Sequence, residues 1–560
     1  MTPIGKGTIM STDRVNDNVS INKKASAIFT LENVPWIIMA SLVVLLCIYV
    51  RVRLLSIPLE RDEGEYAYFA QLMLHGFPPY LHAYSMKLPG VSILYALFMA
   101  VFGQSASGIH GGLLIVVGLT ISMLFFLARR LFDTATGLVA AAAYAILSTS
   151  HGVMGVFAHA THFVILFALA GYLLLMKALE SRRTIPLVCS GFCFGMGILM
   201  KQHGVLFAVF ALLYFLWEQR KLLPDELGRL SRHSLLFIAA VAVPFGVCCL
   251  VLTLYGTFDE FWFWTFKYAR EYVSNVPFAL GVKIFTEQFT RISQTSLLLW
   301  GVAGIGIFLL IADKEAKRGR VFIAGFLVFS FLAICPGLYF REHYFIMLLP
   351  AIALLIGVAV VSACNILSRK GVGPYSWVIP ALLFLTVSSL SVYRERAFFF
   401  SMSPDEASRL IYGANPFPES LRVAEYLKDH TSPEDRIAIL GSEPQIFFYS
   451  GRLSASGHIY MYGLMENQKY AQVMQQELIK DIESNRPKFI VFVNVYTSWL
   501  VRPDSYTLIF NWAEKYLVEN YELAGVVDIF DDMTIYRWDR DIAGYIPRSE
   551  AFLKIFRRKE

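Results

Sequence analysis

Asp62, Glu63 and Glu65 cluster in the stretch Arg61-Asp62-Glu63-Gly64-Glu65-Tyr66, just past the first long apolar segment, and Lys87-Leu88-Pro89 follows in the same loop. Farther along, Lys201-Gln202-His203 and Arg341-Glu342-His343-Tyr344 interrupt other apolar runs. Carboxylates facing Lys and Arg suit one reaction well, the transfer of a sugar from a phosphate to a hydroxyl or amine. A carboxylate takes the proton of the nucleophile as an oxocarbenium-like transition state forms. A phosphate leaves as an anion, so cations that hold it replace the acid needed to hydrolyse a simple glycoside.

The elements that must position these residues are apolar. The chain has 560 residues, 56% hydrophobic and only 16% charged, with a mean hydropathy of +0.54, against about 25% charged residues in a soluble domain. This is the composition of a polytopic α-helical membrane protein. Eleven stretches long enough to cross as helix are expected near 35–54, 108–128, 135–151, 156–176, 186–200, 204–217, 234–255, 294–312, 321–337, 344–363 and 376–393. The apolar piece from Val91 to Phe102 is short for a span, and with it left uncrossed the loops rich in Lys and Arg fall on one side. That bias predicts a cytoplasmic amino terminus, with Lys23-Lys24, Arg129-Arg130, Arg182-Arg183, Arg220-Lys221 and the Lys314 to Arg320 cluster inside. Asp62, Lys87, Lys201 and Arg341 then share the outer face, whereas a transport path would place ionisable groups near the midplane.

Residues 1–33 read as a disordered polar tail before an uncleaved first helix. Residues 34–393 form the membrane part, with a first outer loop over 56–107. Residues 394–560 turn to alternating helix and strand patterns and predict an extracytoplasmic α/β domain. Strands are expected at Arg436–Leu440, Lys488–Val493, Ala524–Ile529 and Thr534–Trp538, and helices at Pro418–His430, Glu466–Ser484 and Tyr506–Asn520; Glu443 and Tyr449 read as turn and core residues. The aromatic stretch Phe258 to Tyr272 predicts an interfacial amphipathic helix, and His159 and His162 read as satisfied interior residues. The seven cysteines lie in or at the ends of apolar runs, away from the tail domain, so no disulfide framework or zinc spacing is indicated. The net charge of +6 follows from the inner loops and calls for no nucleic acid partner.

The ordered set Asp62-Glu63, Lys87-Leu88-Pro89, Lys201-Gln202-His203 and Tyr339-Phe340-Arg341-Glu342-His343-Tyr344 with Pro350 resembles the polyprenyl-phosphate-sugar-dependent glycosyltransferases of the protein O-mannosyltransferase and aminoarabinose transferase superfamily. The resemblance covers most of residues 35–365. The stretch from Gly441 to Arg452 also resembles bacterial members with an outer α/β tail. The resemblance implies a GT-C fold of about eleven transmembrane helices and inverting transfer at the outer face of a bacterial-type inner membrane. It assigns Asp62 as general base, Glu63 as the second acid that orients acceptor or base, and Lys87, Arg341 and Lys201 as contacts to the donor phosphate. Glu65, His343 and Tyr344 are the expected further contacts to donor or acceptor. The implied partners are a polyprenyl-phosphate sugar, the bilayer, and an acceptor that is protein, lipid or polysaccharide. Aminoarabinose transferases carry an acid just before the loop lysine; this chain has Met86 there, so no metal and no other cofactor is expected to be required. The competing readings are a secondary transporter and a membrane-anchored binding protein.

Overall fold

The computed structural model describes residues 28–220, 227–273, 276–313 and 316–560. The expected tail lies outside the described residues up to residue 27, as do Lys23, Lys24, Lys221 and Lys314. The first long helix, α1 (Val34–Arg53), begins at Pro35, where a missing N–H costs nothing, and carries Arg51 and Arg53 in its last turn. Arg51 turns inward and donates to the carbonyls of Gly155 at 2.8 Å and Ser148 at 2.6 Å. Arg53 donates to Phe398 and Met402.

The long loop that follows α1 holds α2 (Arg61–Leu74) and α3 (Gly90–Phe102). Then come α4 (Ala106–Leu131), α5 (Thr134–Thr149), α6 (Ala160–Ser181), α7 (Thr184–Met200), α8 (Val205–Gln219) and α9 (Leu227–Leu254). The series continues with α10 (Phe278–Thr295), α11 (Leu297–Ala312), α12 (Arg320–Ile334), α13 (Leu349–Leu367) and α14 (Val378–Arg394). Five helices, including α1, α4, α6, α9 and the one beginning at Leu349, are long and apolar enough to cross a membrane, and α10 with α11 would make a sixth as a bent pair. Helix α3, at 13 residues, is about 20 Å long, short of the roughly 30 Å hydrocarbon layer.

Two expectations change here. The stretch 294–312 is not one straight helix: the chain bends by 105° between α10 and α11. At the break the Thr295 hydroxyl bonds the Ile292 carbonyl at 2.9 Å and meets the Ser150 hydroxyl at 3.2 Å, in place of continuing the apolar run. The stretch Phe258 to Tyr272 is not one amphipathic helix either, but a short α-turn to Trp262, a π-turn over Phe263–Tyr268 and a further turn. Two of its aromatic residues pack inward: Trp264 stacks on Tyr84 with centroids 4.9 Å apart, and the Tyr268 hydroxyl donates to Glu466 at 3.0 Å.

Beyond Arg394 the chain forms a six-stranded mixed sheet in the order β2-β1-β3-β6-β4-β5. The strands are β1 (Arg436–Leu440), β2 (Leu453–Ser454), β3 (Phe489–Asn494), β4 (Tyr521–Ile529), β5 (Thr534–Trp538) and β6 (Ala551–Arg558). β1 runs parallel to β2 and β3, while β6 pairs antiparallel with both β3 and β4. The expected strands are present; β2 and the central β6 were not anticipated. The sheet region packs on the loop that follows α1 through α15 (Pro444–Ser450), whose Phe447 stacks on Tyr68 of α2 at 5.2 Å. A Cβ on Gly64 would lie 2.6 Å from the Gln445 backbone nitrogen, so only glycine permits this approach. One continuous apolar core runs from the membrane helices through α2 and α15 into the sheet.

Candidate active site

Asp62 owes its place to the start of α2. The Glu60 carboxylate accepts from the Glu63 N–H at 2.9 Å, and the Glu63 carboxylate accepts from the Glu60 N–H at 3.3 Å, a reciprocal cap that fixes the first turn. Consecutive helical residues point about 100° apart, so Asp62 and Glu63 face different surroundings. Asp62 lines a cavity of about 770 Å³ together with Lys87, Lys201, Arg341, His343 and Tyr344. The cavity lies between the ends of the membrane helices and the sheet region.

Lys87 spans two acids, with its Nζ 2.8 Å from Asp62 Oδ1 and 2.7 Å from Glu65 Oε2. Its ammonium also lies over the Tyr66 ring at 4.5 Å, a cation–π arrangement. Burial works to raise the Asp62 carboxyl, but Lys87, with His159 and Lys201 beyond it, holds it well below the usual carboxylate range. Burial likewise pulls the Lys87 ammonium down, and Asp62 and Glu65 more than reverse that and hold it well above its ordinary value. Lys201, whose Nζ sits 3.8 Å over the Tyr344 ring, is pushed down to about 7 by burial and by the neighbouring Lys87 and Arg341, against the pull of Asp62. The loops from α7 and α12 bring these cations to the same cavity.

The structure corrects the expectation for Glu63. Its side chain is fully buried away from the cavity, accepting from Ala158 N–H at 2.5 Å and lying 2.9 Å from His110 Nε2. It ties α2 to α4 and to the loop before α6, and does not line the cavity. Glu65 also stays out of the cavity: it takes a 2.5 Å hydrogen bond from Ser85 and holds Lys87 from behind. Glu342 pairs with Arg291 at 3.1 Å and lines the cavity beside Arg341.

His159 also departs from its reading as a satisfied interior residue. It is buried, neither ring nitrogen has a hydrogen-bond partner, and it lines the cavity stacked on His343 with centroids 4.0 Å apart. Burial pushes it down to about 4, so it is neutral near pH 7. Asp62, His159 and His343 offer ligand atoms within 4.8 Å of one another, the grouping able to hold a metal ion among the described residues.

Sequence reasoning missed the residues that arrive from the sheet region. The Tyr460 hydroxyl donates to Asp62 Oδ1 at 3.3 Å, and its ring lies 5.6 Å from Lys87 Nζ. Arg61 is clamped by Glu443 at 2.6 Å, the Ser442 carbonyl at 2.5 Å, Asn415 at 3.0 Å and the Tyr462 hydroxyl at 3.0 Å. Glu443 is therefore the buried partner of the residue before Asp62, not a turn residue. The one signal available was the pair of acidic and aromatic residues in Gly441–Arg452 and Tyr460–Tyr462, which carries no spacing rule that would join it to a loop almost 400 residues earlier. The Lys87 and Tyr460 contacts to Asp62 both fall on Oδ1.

Comparisons with known proteins bear on the family and the fold. Residues 85–247 match the family model described as dolichyl-phosphate-mannose-protein mannosyltransferase. A curated relative, the undecaprenyl phosphate-alpha-4-amino-4-deoxy-L-arabinose arabinosyl transferase of Pseudomonas aeruginosa (strain UCBPP-PA14), is 29% identical over 214 residues, 36% of this chain. The match spans 38% of that relative's length. Among solved structures, ArnT from Cupriavidus metallidurans bound to undecaprenyl phosphate superposes with a TM-score of 0.56 at 15% identity, over 90% of this chain and 97% of that one. The apo oligosaccharyltransferase of Archaeoglobus fulgidus superposes with a TM-score of 0.51 at 14% identity, over 91% of this chain and 75% of that one. The fold is thus that of the GT-C membrane transferases. The resemblance to the O-mannosyltransferase and aminoarabinose transferase superfamily holds in the family model and the curated relative alike.

Proposed function

We propose that the protein is an integral-membrane inverting glycosyltransferase that moves a sugar from a polyprenyl-phosphate donor to an acceptor at the outer face of the inner membrane. The observation that carries this reading is the shared cavity, in which Asp62 meets Lys87, Lys201 and Arg341. The three cations receive the donor phosphate, and the lipid tail leaves between helices into the bilayer. The acceptor oxygen attacks the anomeric carbon, the bond from that carbon to the phosphate oxygen breaks with its electrons, and Asp62 takes the acceptor's proton.

The resting geometry supplies a reason for ordered binding. Lys87 neutralises Asp62 until a phosphate competes for it, and a carboxylate that loses part of its cationic partner becomes a stronger base. Donor binding thus prepares the base for the acceptor.

The same reading takes the amino terminus as cytoplasmic, about eleven helices as crossing, and residues 394–560 as an extracytoplasmic unit that roofs the site. It requires no metal. Lys87, Lys201 and Arg341 line the same cavity as Asp62, His159 and His343 and oppose a divalent cation there. Transfer that survives millimolar EDTA supports this; transfer abolished by EDTA and restored by a divalent ion contradicts it.

The test of the class is transfer of radiolabelled sugar from a panel of polyprenyl-phosphate sugars into cell-envelope fractions by purified protein. Transfer by the wild type that needs Asp62 supports the reading. A folded wild type that transfers from no donor, or an Asp62→Asn protein that transfers equally well, overturns it.

A further inference from the structure

A second cavity, of about 790 Å³, opens beside the first and shares Tyr412, Asn415 and Thr497 with it as a common wall. It lies where β3 ends at Asn494, β4 ends at Ile529 and β6 begins at Ala551. From this geometry we infer that the second cavity binds the acceptor, and that the acceptor presents an uncharged saccharide there; the inference rests on the transferase reading and names the substrate class of that site.

Charge decides first. Five cations, Lys87, Lys201 and Arg341 among them, line the donor cavity against three acids, whereas among the described residues the charged ones lining the second are Asp531 and Glu550, both exposed acids. A phosphate-bearing or carboxylate-bearing acceptor would meet like charge with no cation to offset it. A hydroxyl-rich ligand would instead donate to these carboxylates and to the amide oxygens beside them.

Shape decides next. Tyr496 is 71% exposed at this cavity and packs against no other aromatic ring among the described residues, while Trp499 and Phe530 line the same space. Flat apolar faces edged by acceptors match a pyranose, whose ring faces are C–H and whose rim is hydroxyl. An extended peptide would need an open sheet edge to pair with, but the edge strands here are β2 and β5, and neither lines the cavity.

A third observation points to a ligand at the junction itself. The Tyr412 hydroxyl, on the shared wall, is buried and has no hydrogen-bond partner. A buried hydroxyl left unsatisfied is costly, and a sugar hydroxyl passing from the second cavity toward Asp62 would satisfy it.

The experiment uses full-length protein in detergent, with saturation-transfer NMR of three neutral probes, maltotriose, cellotriose and mannotriose, and a parallel binding measurement with undecaprenyl phosphate. The expected result is saturable binding of at least one trisaccharide in the millimolar range, weakened about tenfold in Tyr496→Ala and unchanged in Asp62→Asn. Undecaprenyl phosphate should bind Tyr496→Ala as it binds wild type. Because Tyr496 is exposed, its substitution leaves folding intact, and Asp531→Lys gives a second check by weakening the same probe. If undecaprenyl phosphate binds but no trisaccharide does up to about 10 mM, or a Ser/Thr peptide competes at Tyr496 instead, this inference is overturned while the transferase reading stands. If undecaprenyl phosphate itself fails to bind, the transferase reading falls with it.

Discussion

The two cavities share three residues of wall and differ in nearly everything that decides what they hold. One is built at the ends of membrane helices and collects Lys87, Lys201 and Arg341 around Asp62. The other is built at strand ends and carries carboxylates, amides and aromatic faces with no cation. The difference teaches that a charged leaving group and an uncharged nucleophile can be sorted by electrostatics before any specific contact is made. It also explains why Asp62 sits beside the boundary, next to Arg61, which binds Asn415 of the common wall.

The sharpest way to break that comparison is Asp62→Asn. Loss of a general base should lower the transfer rate by about 10²–10⁴-fold while undecaprenyl phosphate binding persists, measured by single-turnover transfer and by equilibrium binding. A proportional loss of donor binding would make Asp62 part of the phosphate site instead. Lys87→Met should come next, because it leaves Asp62 and Glu65 without their shared cation. Breaking a buried pair in this way costs about 3 kcal/mol, read as a lower melting temperature in detergent together with weakened donor binding.

Glu63→Gln separates the two neighbouring acids. It should cost about 1–3 kcal/mol of stability through its hydrogen bonds to Ala158 and the Glu60 N–H, with transfer by the folded fraction close to wild type. Transfer lost at unchanged stability would return Glu63 to the chemistry. The pH dependence tests the cation side. Lys201 titrates at about 7 in the folded protein, below its ordinary 10.5, so it is charged below that pH and neutral above it. Undecaprenyl phosphate should therefore bind progressively more weakly as pH rises from 6 to 8, and Lys201→Arg should flatten the curve. For stability the sign is opposite: between about 7 and 10.5 the unfolded chain binds the extra proton, so stability attributable to Lys201 rises with pH in that window. The smallest effect is expected from Tyr460→Phe. Loss of one hydrogen bond worth about 1 kcal/mol should reduce the transfer rate about fivefold without altering donor affinity.

Much of the donor side was legible because charge is expensive in hydrocarbon. Asp62, Lys87, Lys201 and Arg341 stood out against apolar surroundings, and all four line one cavity. The pairing of Asp62 with Glu63 misled for a physical reason: adjacency in sequence places helical side chains on different faces, and the reciprocal cap at Glu60 consumes Glu63. His159 was read as an ordinary interior residue because nothing in its neighbourhood shows that His343, far along the chain, would stack on it. The strands of the tail were visible in their β-branched and aromatic runs, but Ala551–Arg558, with Lys554, Arg557 and Arg558 interleaved, does not look like a buried central strand. Its basic side chains find partners that periodicity cannot foresee, such as Glu522 for Arg557 at 2.7 Å. The roof residues Tyr460 and Glu443 were the least legible, since their role exists only once two distant segments meet.

The strand β6 lies between β3 and β4, although it is the last of the six to be synthesised. As the chain leaves the ribosome, the halves of the sheet have no common hydrogen-bonding partner until residues 551–558 emerge. Tyr460 and the Glu443 clamp on Arg61 belong to the half that waits. A nascent molecule can therefore have its membrane helices in place while Arg61 still lacks the Glu443 clamp and Asp62 the bond from Tyr460. Chains cut short before residue 551 would lack the one strand that joins the two halves of the sheet.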